Sequence, residues 1–204
     1  MPTVKGVGSV QLHAMGCRLT FLKGSTQALL ELEVADEDIE VALRFYGRSE
    51  KTPDEYIAWV FDLRGQARQP PSRFTDGQLS VVYTALEIQT AVAEVSFHYV
   101  PPADGSAMYF RAVEFDYAGQ TLDMRKNIDQ FPFLAYPDVT SYVACTEFAL
   151  EVVSQHVDGM LHPSARKMDG TCLPIFTRHS IRSTQVKNHY RLSHDGVSWH
   201  HRPL

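Results

Sequence analysis

A chain of 204 residues, 44% apolar and 21% charged, is long enough to bury its own core and has the ordinary make-up of a soluble globular domain. Its formal net charge of −5 argues against a broad nucleic-acid-binding surface. Three widely spaced cysteines without a C-x-x-C pair argue against a disulfide framework and for reduced thiols. No apolar run reaches the roughly 18 residues of a membrane-spanning helix, and the first residues lack the apolar core of a signal peptide. The expectation is a soluble protein that works inside a cell.

In chain order, residues 7–22 alternate loosely around Gly16 and predict two strands, arranged as a hairpin. Residues 28–38 read as a strand and then a short helix, and Arg44 and Arg48 flank Phe45, Tyr46 and Gly47. Thr52, Pro53 and Glu55 form a helix start: a threonine cap, proline at the first position and a glutamate that closes a capping box. Tyr56, Trp59, Val60 and Leu63 make its apolar face, and Gly65 ends it. Gln69, Pro70 and Pro71 give a stiff, extended approach to Ser72 and Arg73.

Asp76 and Gly77 mark a turn. Residues 79–86 (LSVVYTAL) are a short, nearly continuous run of β-branched and aromatic residues, the pattern of a buried strand. From Glu87 to His98 the spacing becomes helical, with Ile88, Ala91, Val92, Val95 and Tyr99 on one stripe. Glu94 falls at the edge of that stripe, with no Lys or Arg one turn away to pair with it. On the residues alone, Glu94 is a solvated helix glutamate and Arg73 a loop cation.

Further on, residues 109–117 alternate as a half-buried strand, and 120–124 predict another. Residues 129–137 (DQFPFLAYP) are an irregular aromatic segment, readable as a pocket rim or as a loop pinned by its own rings. Residues 138–157 form the longest helical pattern. Residues 160–166 lead, extended, into Ser164. Residues 171–176 predict a strand, and 185–199 a hairpin turning at Asp195 and Gly196. The mixture is α+β in a single compact domain, with no repeat and no linker. Nine histidines are present, but they show no tight His/Cys cluster and no H-E-x-x-H, so no metal site is expected. G-x-S-x-G and P-loop patterns are missing as well.

Arg73-Phe74, Tyr83-Thr84-Ala85, Thr90-Ala91 and Ala93-Glu94-Val95, followed by Gly159 and by Pro163-Ser164, together resemble the signature of the RES family, named for its arginine, glutamate and serine. The resemblance spans residues 44–181. Residues 1–43 then read as an N-terminal extension packed on the domain, and 44–204 as the RES-like, NAD-binding domain. Ser-Arg-Phe-Thr-Asp stands where many members have Gly-Arg-Trp-Asn, which bears on substrate and acceptor detail more than on membership.

The resemblance implies a fold like that of the ADP-ribosyltransferase toxins. It also implies a toxin that degrades NAD, as substrate and not as cofactor, by cleaving its nicotinamide–ribose bond as a glycohydrolase or phosphorylase. Carried over by position, Glu94, Arg73 and Ser164 would be catalytic. Arg48 or Arg44, Arg73, Tyr83, Ser164 and Arg166 would bind NAD. This set is chemically coherent. A guanidinium fork suits a pyrophosphate, and a tyrosine face suits nicotinamide. One ionised carboxylate can stabilise the oxocarbenium-like charge that builds as a neutral group leaves. Ser164 has no histidine base placed by sequence, so it reads as a hydrogen-bonding partner of Glu94 or the ribose and not as a nucleophile. The expected protein partner is a cognate antitoxin or immunity protein, in the cytoplasm of the producing or the target bacterial cell, with no membrane and no direct nucleic-acid contact. A homodimer stays open. Two other readings stay open too: an ADP-ribosyltransferase that modifies a target protein, and a non-catalytic nucleotide- or protein-binding module.

Overall fold

The computed structural model describes residues 7–22, 51–61 and 71–204. Ser9–Phe21 is one strand, β1, which pairs antiparallel with Met108–Asp123 (β3) from Ser9 opposite Leu122 to Phe21 opposite Phe110. The predicted hairpin at Gly16 is therefore absent. The glycine meets a different need. A Cβ there would lie 2.5 Å from Thr84 Oγ1, so Gly16 lets β1 close on Val82–Ala85 (β2), where Cys17 sits opposite Ala85. Residues 9–21 are thus an integral strand of the main sheet. The strand and helix expected over 28–38, and Arg44 and Arg48, lie outside the described residues.

β2 pairs with Thr171–Ile175 (β5), β5 with Gly159–Pro163 (β4), and β4 runs parallel to the end of β3. Because β3 also pairs with β1, the five strands close on themselves. The other edge of β3 carries Ile181–His194 (β6) and then Trp199–Pro203 (β7), an antiparallel hairpin that projects from the closed part. The two strands expected over 109–124 are one, because β3 is long enough to serve both halves of the sheet.

Three helices pack on this frame among the described residues. Pro53–Phe61 (α1) starts as expected: Thr52 N–H donates to Glu55 Oε2 at 2.7 Å, and Glu55 N–H to Thr52 Oγ1 at 3.2 Å. Its Ile57 and Val60 are buried beside Val113, Phe115 and Tyr117 of β3. Ile88–Ser96 (α2) places Ala91 and Val92 against Leu19, Phe110 and Leu192. Tyr142–Ser154 (α3) buries Cys145, Phe148, Ala149 and Val152 against Phe74, Leu122 and Met160. The segment before α3, expected as helix from Asp138, opens instead with a 3-10 turn at Val139–Ser141, in which Asp138 accepts the Thr140 N–H at 2.8 Å. No described helix is long and apolar enough to cross a membrane.

Candidate active site

Glu94 and Ser164, 70 residues apart in sequence, are in contact: Ser164 Oγ lies 2.5 Å from Glu94 Oε1. Two local structures produce this meeting. The first is the start of α2. Glu87 stands just before the helix in an extended conformation and does not cap it; its Oε2 instead accepts from Thr90 Oγ1 at 2.8 Å and from the Thr171 N–H at 3.3 Å. That ties α2 to the edge of β5 and aims Glu94, two turns further on, across the end of β4. The second is the turn from Ser164 to Gly170. Ser164 N–H donates to the Gly170 carbonyl at 2.8 Å, and Gly170 sits so close to the buried Thr90 that a Cβ would approach Thr90 Oγ1 to 2.6 Å.

The role of the serine follows from its bonds. Ser164 Oγ accepts the N–H of Arg166 at 3.1 Å and of Lys167 at 3.0 Å. With its acceptor capacity taken, its proton goes to the carboxylate. Ser164 holds Glu94, and among the described residues no histidine nitrogen bonds its hydroxyl. Cys172 Sγ lies 3.6 Å from the same Oε1. Its burial, and then the Glu94 charge, push the thiol well above its ordinary range, so it is a neutral neighbour. Ser164→Ala would free Glu94 and leave two N–H groups without their acceptor. We expect it to cost about 1–3 kcal/mol of stability, measured by urea denaturation, and to lower any Glu94-dependent rate; unchanged stability would mean that the turn does not depend on the hydroxyl.

His162 on β4 completes this neighbourhood. It is 3% exposed, its ring meets that of Phe74 edge-on at 5.2 Å, and burial pushes its pKa down to about 4. Its Nδ1 is 2.8 Å from the Pro163 carbonyl, which can only accept, so Nδ1 carries the proton and the ring is neutral near pH 7.

The two groups expected from the central stretch are held differently. Arg73 is buried, and its fork is turned onto the aromatic segment: Nη2 donates to the Tyr136 carbonyl at 2.8 Å and Nη1 to that of Leu134 at 3.4 Å, with Tyr142 beneath the guanidinium at 5.4 Å. The irregular segment, which contains a 3-10 turn at Pro132–Leu134, is pinned by this arginine as well as by its buried Phe131 and Leu134. Arg73→Lys keeps the charge but loses the planar fork whose two nitrogens reach the two carbonyls. We expect it to lower stability by about 1–3 kcal/mol and to weaken NAD binding, seen by calorimetry in a Glu94→Gln background; wild-type values for both would remove Arg73 from the site.

The Tyr83 hydroxyl accepts the Phe74 N–H at 2.9 Å and meets Ser72 Oγ at 2.8 Å, so it braces the Ser72–Thr75 turn; burial raises it to about 12. One face of its ring is stacked with Phe74, at 6.1 Å between centroids.

Arg166 Nη1 donates to the Ala165 carbonyl of the Ser164–Gly170 turn at 3.4 Å, and its guanidinium lies over the Phe97 ring at 3.6 Å; its buried Nε has no partner among the described residues. Arg18, which the sequence reading passed over, stands beside Tyr83. Its Nη1 donates to the Tyr83 carbonyl at 3.1 Å, Tyr56 lies 5.2 Å below the guanidinium, and its buried Nε has no partner among the described residues. A signal was present, because Arg18 is the one Lys, Arg, Asp or Glu in the 13 residues of β1. His98, just beyond α2, has its pKa lowered by burial first and then by Arg166, with Glu94 opposing and Arg18 and Arg73 adding to the lowering.

Among curated proteins none matches this sequence. Of solved structures, the crystal structure of the M. tuberculosis MbcT–MbcA toxin–antitoxin complex contains a similar chain, with 14% identity, 90% of this chain and 89% of that one covered, and a TM-score of 0.45. The family model described as RES domain matches residues 48–195. That span is well over half of the chain and takes in Arg73, Tyr83, Glu94 and Ser164, so the chain belongs to the RES family.

Proposed function

We propose that this protein is a toxin that cleaves the nicotinamide–ribose bond of NAD, with water or inorganic phosphate as the acceptor. The observation that carries the reading is the Ser164–Glu94 pair, a carboxylate oriented by a serine that is itself oriented by two backbone N–H groups. Among the described residues Ser164 and Cys172 both meet Oε1 of the carboxylate, and Oε2 is the oxygen assigned to the ribose.

Cleavage needs little else. As the C–N bond stretches, positive charge grows at the anomeric carbon, and a fixed carboxylate beside it is stabilising because it has no solvent to reorganise. Nicotinamide departs as a neutral ring, so no general acid has to protonate it. The neutral His162 and the neutral Cys172 fit that requirement, since neither sets a competing charge against Glu94. The cations Arg18 and Arg166 border the same neighbourhood and suit the pyrophosphate. They suit equally the acidic or C-terminal carboxylate segment of a neutralising antitoxin or immunity protein, which a producer of an NAD-degrading enzyme requires.

The test is direct. Purified protein is incubated with NAD, with and without phosphate, and the products are separated by chromatography. Nicotinamide release is expected. ADP-ribose as co-product would identify a glycohydrolase, and its phosphorylated counterpart formed only with phosphate would identify a phosphorylase. Release that required an added protein acceptor would make the enzyme an ADP-ribosyltransferase, and no release would overturn the reading.

A further inference from the structure

Glu94 and Ser164 sit on two elements that also press together one helical turn earlier. Thr90 stands four residues before Glu94 on α2, which puts both side chains on one face of the helix. It is fully buried, and its hydroxyl donates to Glu87 Oε2 at 2.8 Å. Against it lies Gly170, the last residue of the Ser164–Gly170 turn. A Cβ on Gly170 would stand 2.6 Å from Thr90 Oγ1, 3.0 Å from Thr90 Cγ2 and 3.1 Å from the Lys167 carbonyl. Gly170 does not take the left-handed backbone of Gly77, Gly105 and Gly196. Space, and not conformation, is what excludes a side chain there, and Thr90 is the nearest occupant of that space. The circuit then closes: the Gly170 carbonyl accepts the Ser164 N–H at 2.8 Å, and Ser164 Oγ donates to Glu94 Oε1 at 2.5 Å.

We propose that Thr90 is a positioning residue for the reaction. Its contact with Gly170 fixes how far α2 stands from the Ser164–Gly170 turn, and so holds Glu94 within reach of Ser164. This rests on the reading that Glu94 acts on the ribose of NAD. Threonine suits the task. It is branched at Cβ and has few χ1 rotamers, and the bond to Glu87 fixes which one is used. Glu87 Oε2 also accepts the N–H of Thr171, the residue after Gly170, at 3.3 Å. The helix side and the turn side of the contact therefore share one oxygen as a reference. Thr90 acts through Glu94, where a displacement of about 1 Å can cost roughly 10²-fold in rate.

Gly170→Ala adds a methyl group against Thr90 and leaves Glu94 and Ser164 in the chain. Assayed well below its melting temperature, it is expected to lose at least ~10-fold in kcat while KM for NAD stays within about 3-fold. Adding Thr90→Ala to it vacates the space and is expected to return most of the lost kcat. Crystal structures give a readout that needs no activity. The Ser164 Oγ–Glu94 Oε1 separation should open beyond about 3.5 Å in Gly170→Ala and close again in the double variant. Should Gly170→Ala not fold, Thr90→Ala alone carries the test from the other side, with the same fall in kcat at near-constant KM. A Gly170→Ala protein that keeps both the contact and its kcat would overturn the proposal, as would a fall in kcat with the pair unmoved or a fall that the double variant does not relieve. Failure of the positioning role and failure of the cleavage reading look different. If the wild type cleaves NAD and neither variant changes kcat, the positioning role is wrong and the cleavage reading stands. If the pair opens and closes as expected but the wild type never cleaves NAD, the spacing role stands and the cleavage reading falls.

Discussion

Glu94→Gln is expected to lower the rate of NAD cleavage by ~10²–10³-fold or more, the scale of removing one preorganised electrostatic group, while leaving the fold in place. The amide keeps the shape of the carboxylate and can still accept from Ser164 through its oxygen, so the Ser164 bond at 2.5 Å is replaced and not abolished. What disappears is the negative charge that answers the developing cation. The expected result is therefore a protein with wild-type melting temperature and unchanged or modestly altered NAD affinity, but a collapsed kcat. If expression of the wild type arrests growth, the same variant should be tolerated. A Glu94→Gln protein that consumed NAD within a few fold of wild type would show that the carboxylate is the solvated helix residue of the plainest reading.

The second large effect is on stability and comes from His162. Its pKa falls from an ordinary 6.5 to about 4 in the fold, through burial. The unfolded chain therefore takes up a proton at this site at a higher pH than the folded chain does. Above about pH 6.5 both states are neutral there and the full stability is present. Between pH 6.5 and 4 protonation favours the unfolded state, and stability falls as the pH is lowered. A shift of that size corresponds to about 3 kcal/mol across the window. His98, whose pKa is also lowered, acts in the same direction. Carboxylates such as Asp123, held low by hydrogen bonds to Arg125, add their loss only when the pH falls through the lowered value. Urea denaturation at intervals from pH 7.5 to 4.5 should show the slope, and His162→Leu should flatten most of it. A wild-type curve without slope above pH 5 would mean that His162 is solvated.

Much of this architecture is local information and could be read from the chain. The capping box at Thr52 and Glu55, the helix over Ile88–Ser96, the buried run at Val82–Ala85 and the turn at Asp195 are each dictated within about ten residues, by spacing and by turn chemistry. The signature Arg73, Tyr83, Glu94 and Ser164 was legible for the same reason, as residue types in order.

What each does in space depended on contacts far away in sequence. Gly16 reads as a turn residue until β2 is known to press on it. The strands over 109–124 merge because β1 and β6 pair along both edges of β3, and pairing energy is non-local. Arg73 turns to the carbonyls of Leu134 and Tyr136 because the segment that carries them packs over it. Arg18 becomes a site cation only when β1 closes beside Tyr83. Sequence alone determined the capped start of α1, the helix over Ile88–Ser96, the turn at Asp195 and the family signature. The tertiary structure decided which carboxylate meets which hydroxyl, which arginine is spent on the backbone and which keeps an unpaired donor, because those outcomes are settled by long-range strand closure and burial.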